Sequence, residues 1–127
     1  MLFKDVLENE DTKQHLIQRS NDARVSHAQL FSGHKKAPKL ALALAYAQYL
    51  NCEQSVGDDS CNKCKTCLKF NKLAHPDLHI VFPISKNKKT GQVSSNDFLE
   101  DWRDAVKRNK QLTLDDWSNI MVNVNKN

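Results

Sequence analysis

A chain of 127 residues with 39% hydrophobic and 27% charged residues, and only 3 Gly and 3 Pro, has room for one domain or for a domain with a small subdomain. That composition excludes a collagenous or wholly disordered chain, and no apolar run approaches the roughly 18–20 residues that span a bilayer. The net charge of +4 is unevenly spread: residues 35–94 carry 10 Lys against 4 acidic residues, while the segments on either side are each at −1. A basic middle segment is compatible with a polyanionic partner and equally with a lysine-rich solvated face. The start, Met1-Leu2-Phe3-Lys4-Asp5, brings in an acid at once and lacks the apolar stretch of a signal peptide, so a cytoplasmic protein is expected.

In chain order, Val6, Leu7, Leu16 and Ile17 form a thin apolar seam among charged and amide residues, which predicts an exposed helix from about Asn9 or Thr12 to Arg24. Val25-Ser26-His27-Ala28-Gln29-Leu30-Phe31-Ser32-Gly33 reads as a short buried strand ending at a glycine. The Ala/Leu-rich run from Lys39 to Leu50, with Pro38 at its first turn, is apolar nearly all round and predicts a helix buried between layers.

The four cysteines follow within sixteen residues, as C-x8-C-x2-C-x2-C: Cys52, Cys61, Cys64 and Cys67. In a reducing compartment such a cluster is not a disulfide framework. Two overlapping C-x-x-C steps suit a tight knuckle that turns successive sulfurs toward one tetrahedral Zn²⁺, and Gly57-Asp58-Asp59-Ser60 supplies the turn that brings Cys52 back to it. Lys63, Lys65 and Lys69 surround the knuckle and favour thiolates. Four thiolates leave no open coordination position, so the ion is expected to be structural. A redox pair does not account for four clustered cysteines, and His75 and His79 are read as surface or core residues because the sulfurs already complete the shell.

Residues 66–73 predict a short basic helix, His75-Pro76-Asp77 a turn, and residues 78–82 a second strand. Strand, buried helix and strand make a βαβ unit, hence an α/β fold with a parallel core and right-handed crossover. Residues 85–96 read as a polar, mobile loop. Residues 97–108 place Phe98, Leu99, Trp102, Ala105 and Val106 on one helical face, with acids first and bases last. Thr113-Leu114-Asp115-Asp116 resembles a capping box with Asp in place of Glu, and Leu112 and Trp117 are spaced as a hydrophobic staple, so another short helix starts there. These stripes serve either to dock a partner or to pack on their own domain.

The expected strand–turn–helix is where a phosphate loop, G-x-x-x-x-G-K-[ST], belongs. The stretch here is Gly33-His34-Lys35-Lys36-Ala37-Pro38-Lys39-Leu40. Gly33 and Lys39 fall in register. Pro38 replaces the second glycine and removes an N–H donor, and Leu40 replaces the hydroxyl that holds Mg²⁺.

Taken in order, the run 25–33, the helix from Lys39, Asn51-Cys52-Glu53, the Cys61/Cys64/Cys67 knuckle and His75-Pro76-Asp77 resemble the clamp-loader subunits of bacterial DNA polymerase III, an AAA+ family, and within it the N-terminal part of the delta prime branch. The resemblance covers roughly residues 1–82. It implies a partial AAA+ P-loop-type nucleotide-binding domain over residues 1–83, with the zinc module, residues 51–70, inserted in it. Residues 84–127 then read as a lineage-specific insertion made of a polar loop and a helical tail. It further implies that Cys52, Cys61, Cys64 and Cys67 are the ligands of a structural Zn²⁺, and that Gly33 and Lys39 are remnants of a nucleotide site. Gamma/tau subunits share this region but keep an intact loop and hydrolyse ATP. The damaged loop points instead to a stator-like subunit without ATPase activity of its own, within a polymerase holoenzyme. The implied partners are gamma/tau and delta, and, through the assembled complex, the sliding clamp and primed DNA. No acidic Walker B strand follows Phe82, and neither a Ser-Arg-Cys segment nor a collar domain is present, so an N-terminal fragment of a longer subunit is expected. Two other readings compete. A freestanding zinc-knuckle nucleic-acid-binding module explains the cysteines and lysines but not the strand–loop–helix. An active ATPase using Lys39 is opposed by Pro38 and Leu40.

Overall fold

The computed structural model describes residues 1–55, 57–85, 91 and 94–124, and in it five helices follow a short 3₁₀ turn at Phe3–Asp5. They are α1 (Glu10–Asn21), α2 (Lys39–Asn51), α3 (Lys65–Asn71), α4 (Leu99–Arg108, entered through a 3₁₀ turn at Ser95–Phe98) and α5 (Leu114–Val124). None is long and apolar enough to cross a membrane.

Helix α2 is covered on two sides over most of its length, with Leu50 and Asn51 of its last turn exposed, which accounts for its largely apolar sequence. One side packs Ala41, Leu42, Ala45, Tyr46 and Tyr49 against Phe3 and Val6 of the N-terminal turn and Leu16 and Ile17 of α1. The other side sends Leu44 into a second core formed by Leu73, Phe98, Trp102, Ala105, Val106, Leu112, Trp117 and Met121. The expected burial of this helix between two layers is therefore met. In α1 the seam is thin enough that Lys13 is buried with it. Its Nζ donates to the Val6 carbonyl at 2.7 Å and pairs with Glu10, which satisfies the ammonium where water cannot reach.

Helices α4 and α5 pack on the chain's own core. Acids open α4 and bases close it, as its macrodipole favours. At α5 the expected box is present: Thr113 N–H donates to Asp116 Oδ2 at 2.9 Å, and Asp116 N–H donates to Thr113 Oγ1 at 3.2 Å. Leu112 and Trp117 are both buried in the second core, as a staple requires. Phe82 stacks on Trp102 (5.5 Å, 6°) and meets Trp117 edge-on (5.0 Å, 78°), and Trp117 Nε1–H donates to the Pro83 carbonyl at 2.7 Å.

The strands are the correction. Among the described residues there is no β-strand, so the parallel βαβ core expected from the sequence is not formed. Residues 25–30 are exposed rather than buried, with Leu30 at 91%. Residues 78–84 keep the period of two: Leu78, Ile80, Phe82 and Ile84 lean on the second core, while His79 and Val81 point outward. A strand needs a neighbour for its N–H and C=O groups as well as an apolar face. Here both faces of α2 are taken by helices and the two runs form no ladder with each other. The polar loop expected at residues 85–96 lies mostly outside the described residues.

Candidate metal centre

The C-terminus of α2 delivers the first sulfur. Cys52 is the residue at which the helix stops, its N–H still bonded to the Tyr49 carbonyl at 3.2 Å, and its backbone turns extended. The chain then loops outward, with Gly57 at φ +59°, a left-handed conformation that suits glycine. It returns at Cys61, whose N–H donates to Cys52 Sγ at 3.3 Å. Asn62 takes φ +57°, which tightens the knuckle so that the N–H groups of Lys63 and Cys64 point back at Cys61 Sγ, at 3.4 and 3.3 Å. Cys64 caps α3 with its own sulfur, accepting from Cys67 N–H at 3.4 Å, and Cys67 lies within the first turn of that helix.

The four Sγ atoms all lie within 4.8 Å of one another, and those of Cys61 and Cys67 are 3.9 Å apart. A tetrahedral ion with metal–sulfur bonds of about 2.3 Å needs sulfur–sulfur edges of about 3.8 Å. The 3.9 Å separation meets that, and it is far too long for a disulfide; all four cysteines are free thiols. Three of the sulfurs already accept backbone N–H groups, the arrangement that stabilises sulfur as thiolate. The donor set and its spacing therefore fit a metal ion. Backbone N–H groups of Lys63 and then Cys64 hold Cys61 down at about 6, whereas burial, with Cys64 adding to it, pushes Cys67 up to about 12. A bound cation supplies the charge that the buried sulfur otherwise lacks.

His75 stacks on Phe70 (4.7 Å, 26°) and His79 is exposed; among the described residues, no other set of side chains is placed to hold a metal. Lys63, Lys65 and Lys69 are exposed around the module. Two residues matter here that the sequence reading passes over. Asp59 ties the loop to the N-terminal turn, its oxygens accepting from Phe3 N–H at 3.0 Å and Lys4 N–H at 3.2 Å. Gln48 is wholly buried in α2. A lone amide in an otherwise Ala/Leu/Tyr helix is the signal that exposes Gln48; Asp59 has no signal beyond turn composition.

The stretch expected from the sequence to be a phosphate-loop remnant lies at the opposite end of α2. Pro38 is the residue before its first turn, and the turn 34–37 closes through Ala37 N–H on the His34 carbonyl at 3.0 Å. A Cβ on Gly33 would stand 3.2 Å from Ala37 Cβ, so glycine suits this close approach. Lys39 Nζ folds back onto the His34 carbonyl at 2.7 Å and the Gly33 carbonyl at 3.3 Å. The lysine thus serves as an internal brace of its own loop, and Leu40 leans on the second core.

Comparison with known proteins places residues 8–115 within the family described as "DNA polymerase III, delta subunit". DNA polymerase III subunit delta' of Bacillus subtilis (strain 168) is 38% identical over 72 residues, 57% of this chain and 22% of that protein. The tau subunit of the same organism is 30% identical over 105 residues, 83% of this chain and 17% of that protein. The tau/gamma subunit of Haemophilus influenzae is 31% identical over 86 residues, 68% of this chain and 12% of that protein. The chain thus spans about a fifth or less of the length of these relatives. No solved structure matches it.

Proposed function

The chain belongs to the DNA polymerase III delta subunit family, and from that premise we propose that it is the N-terminal part of a clamp-loader subunit of the delta prime kind, one that does not hydrolyse ATP. Its role is that of a rigid stator beside ATP-hydrolysing neighbours. Its partners are the gamma/tau and delta subunits, and the assembled complex places a sliding clamp on primed DNA. Cys52, Cys61, Cys64 and Cys67 hold a structural Zn²⁺.

The observation that carries the non-catalytic reading is the brace at Lys39. An ammonium that binds nucleotide points toward the β/γ phosphates; this one is spent on two carbonyls of its own loop. Pro38, in the place of the second glycine, offers no N–H to phosphate. Titration with a fluorescent ATP analogue is expected to show no saturable binding below the millimolar range, with no hydrolysis, while association with the other clamp-loader subunits is retained. Micromolar nucleotide affinity that disappears in Lys39→Ala refutes this reading.

A nucleic-acid-binding module is the second reading, favoured by one feature. Lys63, Lys65, Lys69 and Lys72 are all exposed around α3, and none of them is in a salt bridge among the described residues. The module offers no aromatic platform, since Phe70 is buried against His75. Tight single-stranded DNA binding by this chain alone, falling steeply with salt, decides for the second reading.

A further inference from the structure

The acids between Cys52 and Cys67 all have partners away from α3's outer side. Glu53 accepts from the Thr66 hydroxyl at 2.8 Å, Asp58 from Gln14 Nε2 at 3.3 Å, and Asp59 from the backbone of the N-terminal turn. Elsewhere in the chain Lys13, Lys35, Lys107 and Lys110 each meet a carboxylate. Lys63, Lys65, Lys69 and Lys72 meet none among the described residues, and all four are exposed. Their placement is only partly what the helix itself favours. Lys69 and Lys72 suit the negative end of the α3 dipole, but Lys65 opens the helix and Lys63 precedes its cap, where positive charge is unfavourable, and no acid stands in the first turn.

Lys65, Leu68, Lys69 and Lys72 recur at i, i+3, i+4 and i+7, so they share one stripe, opposite the side on which Cys67 and Phe70 are buried. Leu68 stands 51% exposed among these ammonium groups. We propose that this stripe of α3 is a docking surface for an acidic protein segment that carries an apolar side chain between its carboxylates, with Leu68 as the anchor and Lys65, Lys69 and Lys72 as the rim. Charge complementarity selects the acidic partner. Leu68 selects protein over nucleic acid, because an apolar centre inside a charged rim is the layout of a protein contact, whereas a phosphate backbone leaves that leucine against ionic oxygens. The stripe also holds no arginine to fork onto phosphate and no exposed ring to stack a base, since Phe70 is buried against His75. The inference goes beyond the clamp-loader reading and needs only that α3 be folded.

The test uses the full chain purified with zinc and a fluorescein-labelled helical peptide in which glutamates at i, i+4 and i+7 surround one leucine. A second peptide has serine in place of that leucine, and a single-stranded oligonucleotide of equal length is the third probe. Anisotropy titrations are expected to show saturable binding of the leucine peptide, weakened about tenfold by Leu68→Ser and about as much by the serine in the peptide, as loss of a half-buried leucine contact implies. Lys65→Glu/Lys69→Glu should weaken it about tenfold or more, and Lys36→Glu, on the loop before α2, less than about twofold. The serine peptide leaves the chain untouched, so it keeps the anchor testable if a variant fails to fold. No saturable binding, or equal binding of the two peptides, overturns the proposal. Tighter binding of the oligonucleotide, lost in Lys65→Glu/Lys69→Glu and indifferent to Leu68→Ser, assigns the stripe to nucleic acid instead. Chelator competition is run on the same variants: a loss of zinc affinity in Lys65→Glu/Lys69→Glu that matches its loss of peptide binding makes the lysines counter-charges of the metal centre, which also overturns it.

Discussion

Replacing Asp59 with alanine cuts the link between the metal loop and the N-terminal turn. The carboxylate accepts from Phe3 N–H at 3.0 Å, from Lys4 N–H at 3.2 Å and from Ser60 N–H at 2.8 Å. Phe3 is only 3% exposed, so its amide cannot simply turn to water; losing a charged acceptor there costs about 1.5–3 kcal/mol. Lys4 is exposed and water replaces most of its bond, which adds at most about 1 kcal/mol. The expected loss is about 2–3 kcal/mol in the zinc-loaded chain, or about 10 °C in melting temperature for a chain of this size. Asp59→Asn, which keeps one acceptor oxygen, should lose about half as much. With the metal removed, residues 53–60 are no longer pinned at both ends by Cys52 and Cys61, and the same substitution should cost about 1 kcal/mol or less. By linkage the difference appears as zinc binding weakened by about tenfold or somewhat more. Circular dichroism melts of wild type and variant, each with and without chelator, measure all four corners. An Asp59→Ala protein that melts within about 2 °C of wild type when loaded refutes the link, and so does an equal loss with and without metal.

Three further outcomes are expected from the rest of the fold. Ala23 sits at φ +54° just past α1, where Arg24 N–H closes back on the Arg19 carbonyl at 2.9 Å; Ala23→Gly should stabilise the chain by about 0.5–1 kcal/mol, read by chemical denaturation. Thr113→Ala should cost about 1 kcal/mol of cap energy. Asp116 is held below the usual carboxylate range by the Thr113 backbone N–H and then its hydroxyl, so its contribution is present above the unfolded carboxylate value near 4 and is lost as pH falls through the folded value; melts between pH 2 and 6 should show a shallower acid limb in Thr113→Ala. Trp117→Phe should cost about 1 kcal/mol through its lost bond to Pro83, and Trp117→Ala about 3–5 kcal/mol through the emptied second core, both by denaturant titration.

The helices were legible because their signals are local. Spacing of apolar residues located α1, α2 and α4, and the Thr113/Asp116 pair located the start of α5 with its reciprocal bonds. The cysteine cluster was legible for the same reason, since the knuckle geometry follows from C-x-x-C spacing. The strands were not, because a strand is completed by something outside itself. Residues 78–84 carry a correct alternation, yet alternation states only which side faces a core, and here that core is made of α4 and α5. Gln48 and Asp59 were missed because their partners are distant in sequence: Met1 is 47 residues from Gln48, and Phe3 is 56 from Asp59.

What joins the two candidate sites is the helix between them. Lys39 opens α2 and Cys52 ends it, so the loop remnant and the metal centre stand about 20 Å apart along one 13-residue helix. That helix is wedged between two cores, and packed cores resist small displacements because every side chain already touches its neighbours. A subunit that hydrolyses ATP needs its phosphate loop to respond to the presence or loss of a phosphate. In this chain the loop is braced by Lys39, and the far end of the same helix leads into the four sulfurs. A helix held in this way at both ends links the metal centre mechanically to the loop. Stripping zinc should therefore increase amide exchange along α2 beyond the cysteines, reaching toward residues 39–42, whereas exchange confined to residues 52–71 would show that the metal module and the loop remnant are mechanically separate.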